Sequence, residues 1–378
     1  MQNKTENLIQ ASTTPLASIF GSGFLVIVPI LAGAVGEYSI LVMACICAIA
    51  YLVGSVIRYN IIHAEPVLAD NPAKIVYRLE RSSDFAIVLA YIISVSLYLN
   101  IMSAFVLGGV GMDTEVNEKL LTSFVILLIV IIGLVKGLEI LEKLESYALV
   151  VTLLIVLILS IGFLSYDEKQ LMVYFKFELF HALEHSTWEI LTIVAGTLIV
   201  VQGFETTRFM GESYDADTRV LASRYSQIIA SIVYVVFISL ALPIVHTLNG
   251  QYDDNSLIKL AGVAYGFLVL PLVVSAALSQ FAAAVADTIA ASGNMAEASS
   301  NKINNKISYL VVGVGSITLT WFANTYEILA LASRSFALYY FLQCLLAIRL
   351  SQNMLQKIWM VLIAFILLFI IIFAVPAG

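Results

Sequence analysis

Charge is scarce in this chain. Of its 378 residues only 12% are Asp, Glu, Lys or Arg, against 61% hydrophobic, and the mean hydropathy is +0.97. Soluble domains carry about 25% charged residues, and a soluble protein this apolar could not cover its own surface. That excludes an ordinary water-soluble domain and makes lipid the solvent for most of the chain. The net charge of −7 comes with no basic stripe, which excludes nucleic acid as a partner. Cysteine is nearly absent. Cys45, Cys47 and Cys344 all lie in apolar runs, so no disulfide framework is implied. Cys45 and Cys47 point about 200° apart on a helix and cannot grip one metal ion.

Catalytic sets are missing as well. His63, His181, His185 and His246 fall near helix ends or in loops. The pair His181 and His185, with Glu184 between them, lacks the glutamate placement of a metalloprotease. No Ser-His-Asp constellation is visible. The sequence therefore predicts neither an enzyme nor a bound cofactor. No soluble domain and no Gly/Ser or Pro linker divides it.

What the chain has is long apolar runs. A membrane helix needs roughly 20 apolar residues, and eleven candidates occur at about 15–34, 38–60, 84–110, 120–137, 146–165, 188–207, 222–245, 263–295, 307–323, 325–348 and 357–376. The first could be mistaken for a signal peptide, but its leading region balances Lys4 against Glu6, so it is kept as a span. With the N-terminus inside, inner segments hold 14 Lys and Arg and outer segments hold 4: Lys119, Lys169, Lys176 and Lys259. The positive-inside rule then predicts a cytoplasmic N-terminus, an external C-terminus and an odd number of spans. Residues 61–83 form an inner, basic, partly helical loop. The outer segment 166–187 reads as holding an interfacial helix.

Two spans are interrupted. The first reads IFGSGFLVIVPI, with Gly21, Ser22, Gly23 and then Pro29; the sixth contains Gln202, Gly203, Phe204 and Glu205. Gly21 and Gly203 are 182 residues apart, and each break opens a set of five helices of opposite sense. That is the pattern of an inverted-repeat transporter with its site at two discontinuous helices. Unwound backbone in lipid strands N–H and C=O groups at several kcal/mol each, so it survives only beside protein or a water-filled cavity. Small residues also allow close helix packing, which is the plainer reading of Gly-x-Gly alone.

IFGSGFLVIVP resembles the first-helix motif of the amino acid–polyamine–organocation (APC) permeases, G-S-G-I-F followed by proline; here Phe24 replaces the branched residue and Pro29 falls one place late. GFETTRFMGESYDADTR over 203–219 is similar to that family's sixth helix and exit loop, with Glu205, Glu212 and Arg219 at the matching positions and the common Asn-Pro absent. AEPVLADNPAKIVY over 64–77 resembles the loop after helix two, with Ala73-Lys74 in place of a double glycine. The likeness runs through helices one to ten in order. It implies an all-α membrane fold of about 11 helices. These comprise a cytoplasmic tail over 1–14, a five-helix repeat over 15–165, an outer connection over 166–187, a second repeat over 188–348, and an inner loop with an eleventh helix over 349–378. It also implies that Phe20, Gly21, Ser22, Gly23, Gln202, Gly203, Phe204 and Glu205 hold the solute. In that arrangement amides of Gly21–Gly23 face a carboxylate, and carbonyls near Gln202–Phe204 face an amine.

Ionisable groups at membrane depth are functional candidates by default. Ala284, Asp287 and Thr288 stand at i, i+3 and i+4 on one helical face. The resemblance to sodium-coupled members makes them an ion site, completed by carbonyls around Phe20 and Phe24. Alternatively Asp287 binds a proton; the fifth span has no lysine of the kind some proton-coupled relatives carry. Glu205 could face the solute, cap the second half-helix or pair with a cation. Arg334, ten residues into the tenth span, requires a partner, expected to be Glu205 or Asp287. Tyr98, Trp188 and Phe204 are candidates to line or lid a cavity.

The expectation is an ion-coupled secondary transporter of the cell membrane that moves an amino acid or amine with Na+ or H+. Carriers of nucleobases or inorganic ions, and a non-transporting receptor or channel, are the alternatives. The absence of a D-P-G or M-P-H break argues against the divalent-metal relatives.

Overall fold

The computed structural model describes residues 2–21, 23–70, 72–138, 142–167, 185–299 and 302–376. Ser22 and most of the outer segment 166–187, with His181 and Glu184, lie outside the described residues. The described residues form thirteen α-helices: α1 (Gln2–Gly21), α2 (Ile27–Val35), α3 (Ser39–Ala69), α4 (Lys74–Gly108), α5 (Glu115–Lys136), α6 (Glu142–Asp167), α7 (Thr187–Ala195), α8 (Ala216–Ala241), α9 (Ser256–Ala264), α10 (Val269–Ala298), α11 (Asn305–Phe322), α12 (Thr325–Leu350) and α13 (Met354–Phe373).

This is an all-helical, multi-pass membrane protein. Among the described residues eight helical stretches are long and apolar enough to cross a bilayer. The other expected spans are present as shorter or interrupted helices. The first is split between α1 and α2, the sixth begins as α7 and continues as 3-10 turns, and α11 includes Asn305 and Lys306 within its 18 residues. The outer surface is a belt of apolar side chains such as Phe124, Leu127, Leu154, Leu157, Val314 and Phe365, all exposed. In water such a belt would be untenable; in lipid it costs nothing.

Two sequence expectations shift. Residues 61–83 are more helical than expected: α3 continues to Ala69 and α4 starts at Lys74, so the connection itself is short. At 31 and 35 residues both helices are longer than the roughly 20 residues a bilayer needs, so their polar ends carry charge without ending the hydrogen-bond ladder. Residues 263–295 hold the end of α9, a 3-10 turn and α10, rather than one helix.

α4 is the most enclosed span and packs between α10 and α12. Against this trio sit α1, which meets α10, and the sixth-span turn Leu198–Val201, which meets α12; α8 packs behind them on α1 and α3. Polar side chains tie the layers: Ser96 to Thr320 at 2.9 Å, Thr122 to Ser103 at 2.8 Å, and Ser316 to the Ile92 carbonyl at 2.8 Å. Such contacts are modest individually, about 0.6 kcal/mol where measured in membranes, but they set register.

Candidate functional site

The first break is built on Gly23. Its φ is +134°, a conformation that side chains rarely adopt, and a Cβ there would meet Val200 Cγ2 at 2.9 Å. A single turn, Val26 N–H to Gly23 O at 3.1 Å, then restarts the helix. Gly21 serves a different purpose. A Cβ on it would meet Ala283 Cβ at 2.7 Å, so its bareness lets α1 close on α10. The plainer packing reading fits Gly21, and the turn belongs to Gly23.

The second break is built on Gly203, with φ +129°. A Cβ there would meet the Ile19 backbone nitrogen at 2.6 Å. Each break therefore packs into the other. Before it, α7 is fixed by a capping box at Ser186 and Glu189, and Leu198–Val201 form a 3-10 turn. After it, Phe204–Met210 continue as 3-10 turns.

Protein groups meet the released backbone. Tyr234 on α8 places its hydroxyl 2.7 Å from Val200 O and 3.0 Å from Ile19 O. Ser333 on α12 accepts from Ile199 N–H at 3.1 Å and donates to Gly196 O at 2.6 Å. Glu205 is fully buried; its Oε2 accepts from Gly203 N–H at 2.8 Å and from the Tyr340 hydroxyl at 2.6 Å. Both contacts lie at the second break, one on its own backbone and one on α12. Gln202 donates to the Tyr98 hydroxyl at 3.0 Å, and Phe204 stacks on Tyr340 at 5.2 Å.

Phe20, Gln202, Phe204 and Glu205 are thus enclosed among protein groups. The open space lies beside them. A cavity of about 540 Å³ runs from exposed Gln10 on α1 to Asp287 on α10. Ser18, Tyr91, Glu145, Thr206, Phe209 and Tyr214 contribute to its wall. A smaller pocket adjoins it, also lined by Ser18, Glu145 and Asp287, with Phe20, Thr152 and Ser279.

Asp287 is buried and accepts a hydrogen bond from Ser94 on α4. Ala284 and Thr288 share its face as expected, but the Thr288 hydroxyl donates to the Ala284 carbonyl at 2.7 Å. Arg334 is a correction: it meets neither Glu205 nor Asp287. Its guanidinium donates to the Ala374 carbonyl at the end of α13, at 2.9 Å from Nε. A helix C-terminus carries partial negative charge, so a carbonyl there can hold a cation without a carboxylate. Trp188 is exposed and packs on Phe369 and Phe373 rather than over a cavity.

The quoted motifs meet elsewhere. Arg219, in the first turn of α8, forms a two-pronged pair with Glu65 at 2.8 and 2.6 Å. Arg208 pairs with Glu80 at 2.8 Å. Glu212 is exposed. Sequence reasoning misses Ser94, Tyr91, Glu145, Tyr234, Ser333 and Tyr340. Each is a single polar side chain on an apolar helix, and only Glu145 carries a charge that could have flagged it. Among the described residues no three His, Cys, Asp or Glu side chains gather as a metal cluster.

Comparison with known proteins agrees with this architecture. A family model described as APC superfamily transporter matches residues 2–375. An uncharacterized protein of Aquifex aeolicus (strain VF5) is 37% identical over 378 residues, covering 97% of this chain and 91% of its own. Crystal structures of a manganese transporter from Eremococcus coleocola superpose with a TM-score of 0.59, covering 96% of this chain and 85% of theirs at 12% identity. A further structure of that transporter, with an aromatic bis-isothiourea substituted compound, matches at 11% identity and the same TM-score. At that identity the likeness is one of fold. Broken first and sixth helices, and a family match over nearly the whole length, identify this chain as a transporter rather than an enzyme, and it belongs to the APC superfamily.

Proposed function

We propose that this transporter is a secondary active carrier that moves a small organic solute, an amino acid or amine, by alternating access coupled to Na+ or H+. The observation that carries the reading is the cavity of about 540 Å³ that ends on buried Asp287 beside the two helix breaks. A charged group at that depth is costly unless it is used. Asp287 exchanges its charge with a proton or a sodium ion, with Ala284 and Thr288 at hand on the same face. Gly23 and Gly203 support the inverted-repeat reading, since equivalent turns interrupt the first helix of each half. Eleven spans, with the N-terminus cytoplasmic and the C-terminus outside, complete the topology we infer from the distribution of Lys and Arg.

Residues Phe20–Gly23 and Gln202–Glu205 are the parts that open. In the geometry seen here Glu205 holds the Gly203 N–H, and Tyr234 and Ser333 hold the backbone that leads into the two breaks, at Ile19, Val200, Ile199 and Gly196. Rearrangement of those contacts is what admits the solute between the half-helices. Coupling requires the ion to bind one orientation of α1 and the sixth span better than the other.

The test is uptake into proteoliposomes from a panel of amino acids and amines, with Mn2+ as a separate arm and sodium and proton gradients imposed one at a time. Gradient-driven uptake of an organic solute, abolished by Asp287→Asn, is the expected result. Uptake of Mn2+ alone, or full coupling in Asp287→Asn, would overturn the reading.

A further inference from the structure

α4 and α11 run side by side in one register. The Ser316 hydroxyl donates to Ile92 O at 2.8 Å and Ser96 meets Thr320 at 2.9 Å, each contact spanning 224 residues. That register sets the first residues of α11, Asn305 and Lys306, level with Arg81 and Ser82 on α4. The α4 face that meets α11 continues at helical spacing through Leu89, Phe85, Arg81, Arg78 and Lys74. α11 stands at the height of Leu89 and Phe85 but does not cover them, since they are 49% and 65% exposed. The two helices therefore part toward this end and leave a gap that opens on lipid.

The gap has an apolar floor and a basic mouth. Phe85 and Leu89 form the floor on α4; on α11 the exposed side chains of Ile307, Leu310 and Val311 follow exposed Lys306. Arg78 and Lys74, also exposed, lie about two and three turns from Phe85 along α4, and exposed Lys302 precedes α11. The charges at the mouth are not balanced. Arg81 is matched by Asp84 at 3.3 Å, while Glu80 and Glu65 are taken by Arg208 and Arg219. Among the described residues Lys74, Arg78, Lys302 and Lys306 form no ion pair.

We infer that this gap is a binding site for an anionic phospholipid, with the phosphate among Lys74, Arg78, Lys302 and Lys306 and an acyl chain along Phe85 and Leu89. Cations at the membrane edge attract acidic headgroups, and the apolar floor offers a contact that a free phosphate cannot use. The choline of a zwitterionic lipid would bring a further positive group to the mouth. A second copy of this chain would, in a twofold contact, set these cations against themselves. In the topology proposed for this chain the mouth faces the cytoplasm. The lipid fills a space between two helices already joined farther along, so its binding stabilises the folded chain.

The experiment uses the full chain, purified in detergent and stripped of lipid. It is titrated in mixed micelles with phosphatidylglycerol and with phosphatidylcholine of the same acyl chains. Native mass spectrometry reads the bound lipid and thermal unfolding reads its effect. Phosphatidylglycerol should saturate as a retained adduct and raise the melting temperature; phosphatidylcholine and glycerol 3-phosphate, the headgroup without chains, should do neither. Lys74→Gln combined with Arg78→Gln should weaken binding about fivefold per cation, roughly 25-fold together. Arg349→Gln combined with Lys357→Gln is the control. It removes the same charge from α12, which packs on the opposite face of α4 through Leu346 and Val76, and from α13 beyond it. This control should bind as wild type. Phosphatidylglycerol with a photoreactive diazirine in its acyl chain should label the peptides around Phe85 and Leu310 in the wild-type protein, a readout that needs no variant to fold. Equal binding of the two phospholipids, equal loss in both double variants, or labelling confined to other helices would overturn the inference. None of these readouts depends on which solute is carried.

Discussion

The Tyr234 hydroxyl lies 2.7 Å from the carbonyl oxygen of Val200, on a helix that belongs to neither break. The same hydroxyl is 3.0 Å from Ile19 O. One phenol thus serves the released backbone of both interrupted helices, and it has a single proton to share between them. Tyr234→Phe should lower thermal stability in detergent by about 1–3 kcal/mol, the cost of leaving buried carbonyls unmet. The ring remains, so its packing on Phe20 and Phe24 is kept. An unchanged melting temperature would show that the hydroxyl is dispensable.

The two glycines of the breaks should tolerate nothing larger. Gly203→Ala meets backbone at 2.6 Å and a φ of +129°. Strained backbone of this kind costs about 1–3 kcal/mol before any clash is counted. Both Gly203→Ala and Gly23→Ala should reduce the yield of monodisperse protein in size-exclusion chromatography. Gly266→Ala, where a Cβ meets nothing within 4 Å, is the matched control and should behave as wild type.

Glu65 and Arg219 form a pair whose arginine is buried and also donates to the carbonyls of Tyr214 and Arg208. Removing one partner of a buried pair typically costs about 3–5 kcal/mol, because the other charge is stranded. Glu65→Gln alone should therefore destabilise more than Glu65→Gln combined with Arg219→Gln. Denaturation midpoints of the two singles and the double mutant decide it. Additive losses would mean that the two side chains do not act as a unit.

Asp254, in the segment before α9, accepts a hydrogen bond from Thr325 at 2.7 Å. Burial raises its pKa above the ordinary carboxylate value, the Thr325 bond opposes this, and neighbouring Asp253 adds to the rise. An acid whose folded pKa is raised favours the folded state when protonated. The penalty is absent below about pH 4, near its unfolded pKa, and appears as pH rises through the raised value. Asp254→Asn keeps an acceptor for Thr325 and loses the charge. It should raise the melting temperature at pH 7–8 and leave it unchanged near pH 3.5. A lower melting temperature at pH 7–8 would refute this.

How far the sequence foretells this arrangement depends on the residue. The breaks are readable because glycine in an apolar run has few structural excuses, and because two of them stand at matching places. The exact register is not: spacing along the chain pairs Gly21 with Gly203, whereas the positive φ angles pair Gly23 with Gly203. Asp287 announces itself by charge. Ser94, Ser333 and Tyr340 do not, since one hydroxyl on an apolar helix carries no local signature, and its purpose depends on a partner more than 100 residues away. Arg334 escapes for a related reason. Formal charges can be counted along a sequence, but the partial charge of a helix end, here at Ala374, depends on where another helix stops. Residues 61–83 look like a loop because hydropathy marks the edge of the lipid, not the end of a helix.

Gly23 presses on Val200, and Gly203 presses on the backbone at Ile19. The two breaks, 180 residues apart in the chain, share one boundary. A larger side chain at either glycine would have to displace the other break's segment. If Val200 shrank, position 23 would gain space but not freedom of backbone angle. The interlock makes the two breaks one packing unit: room at either is set by the segment that forms the other.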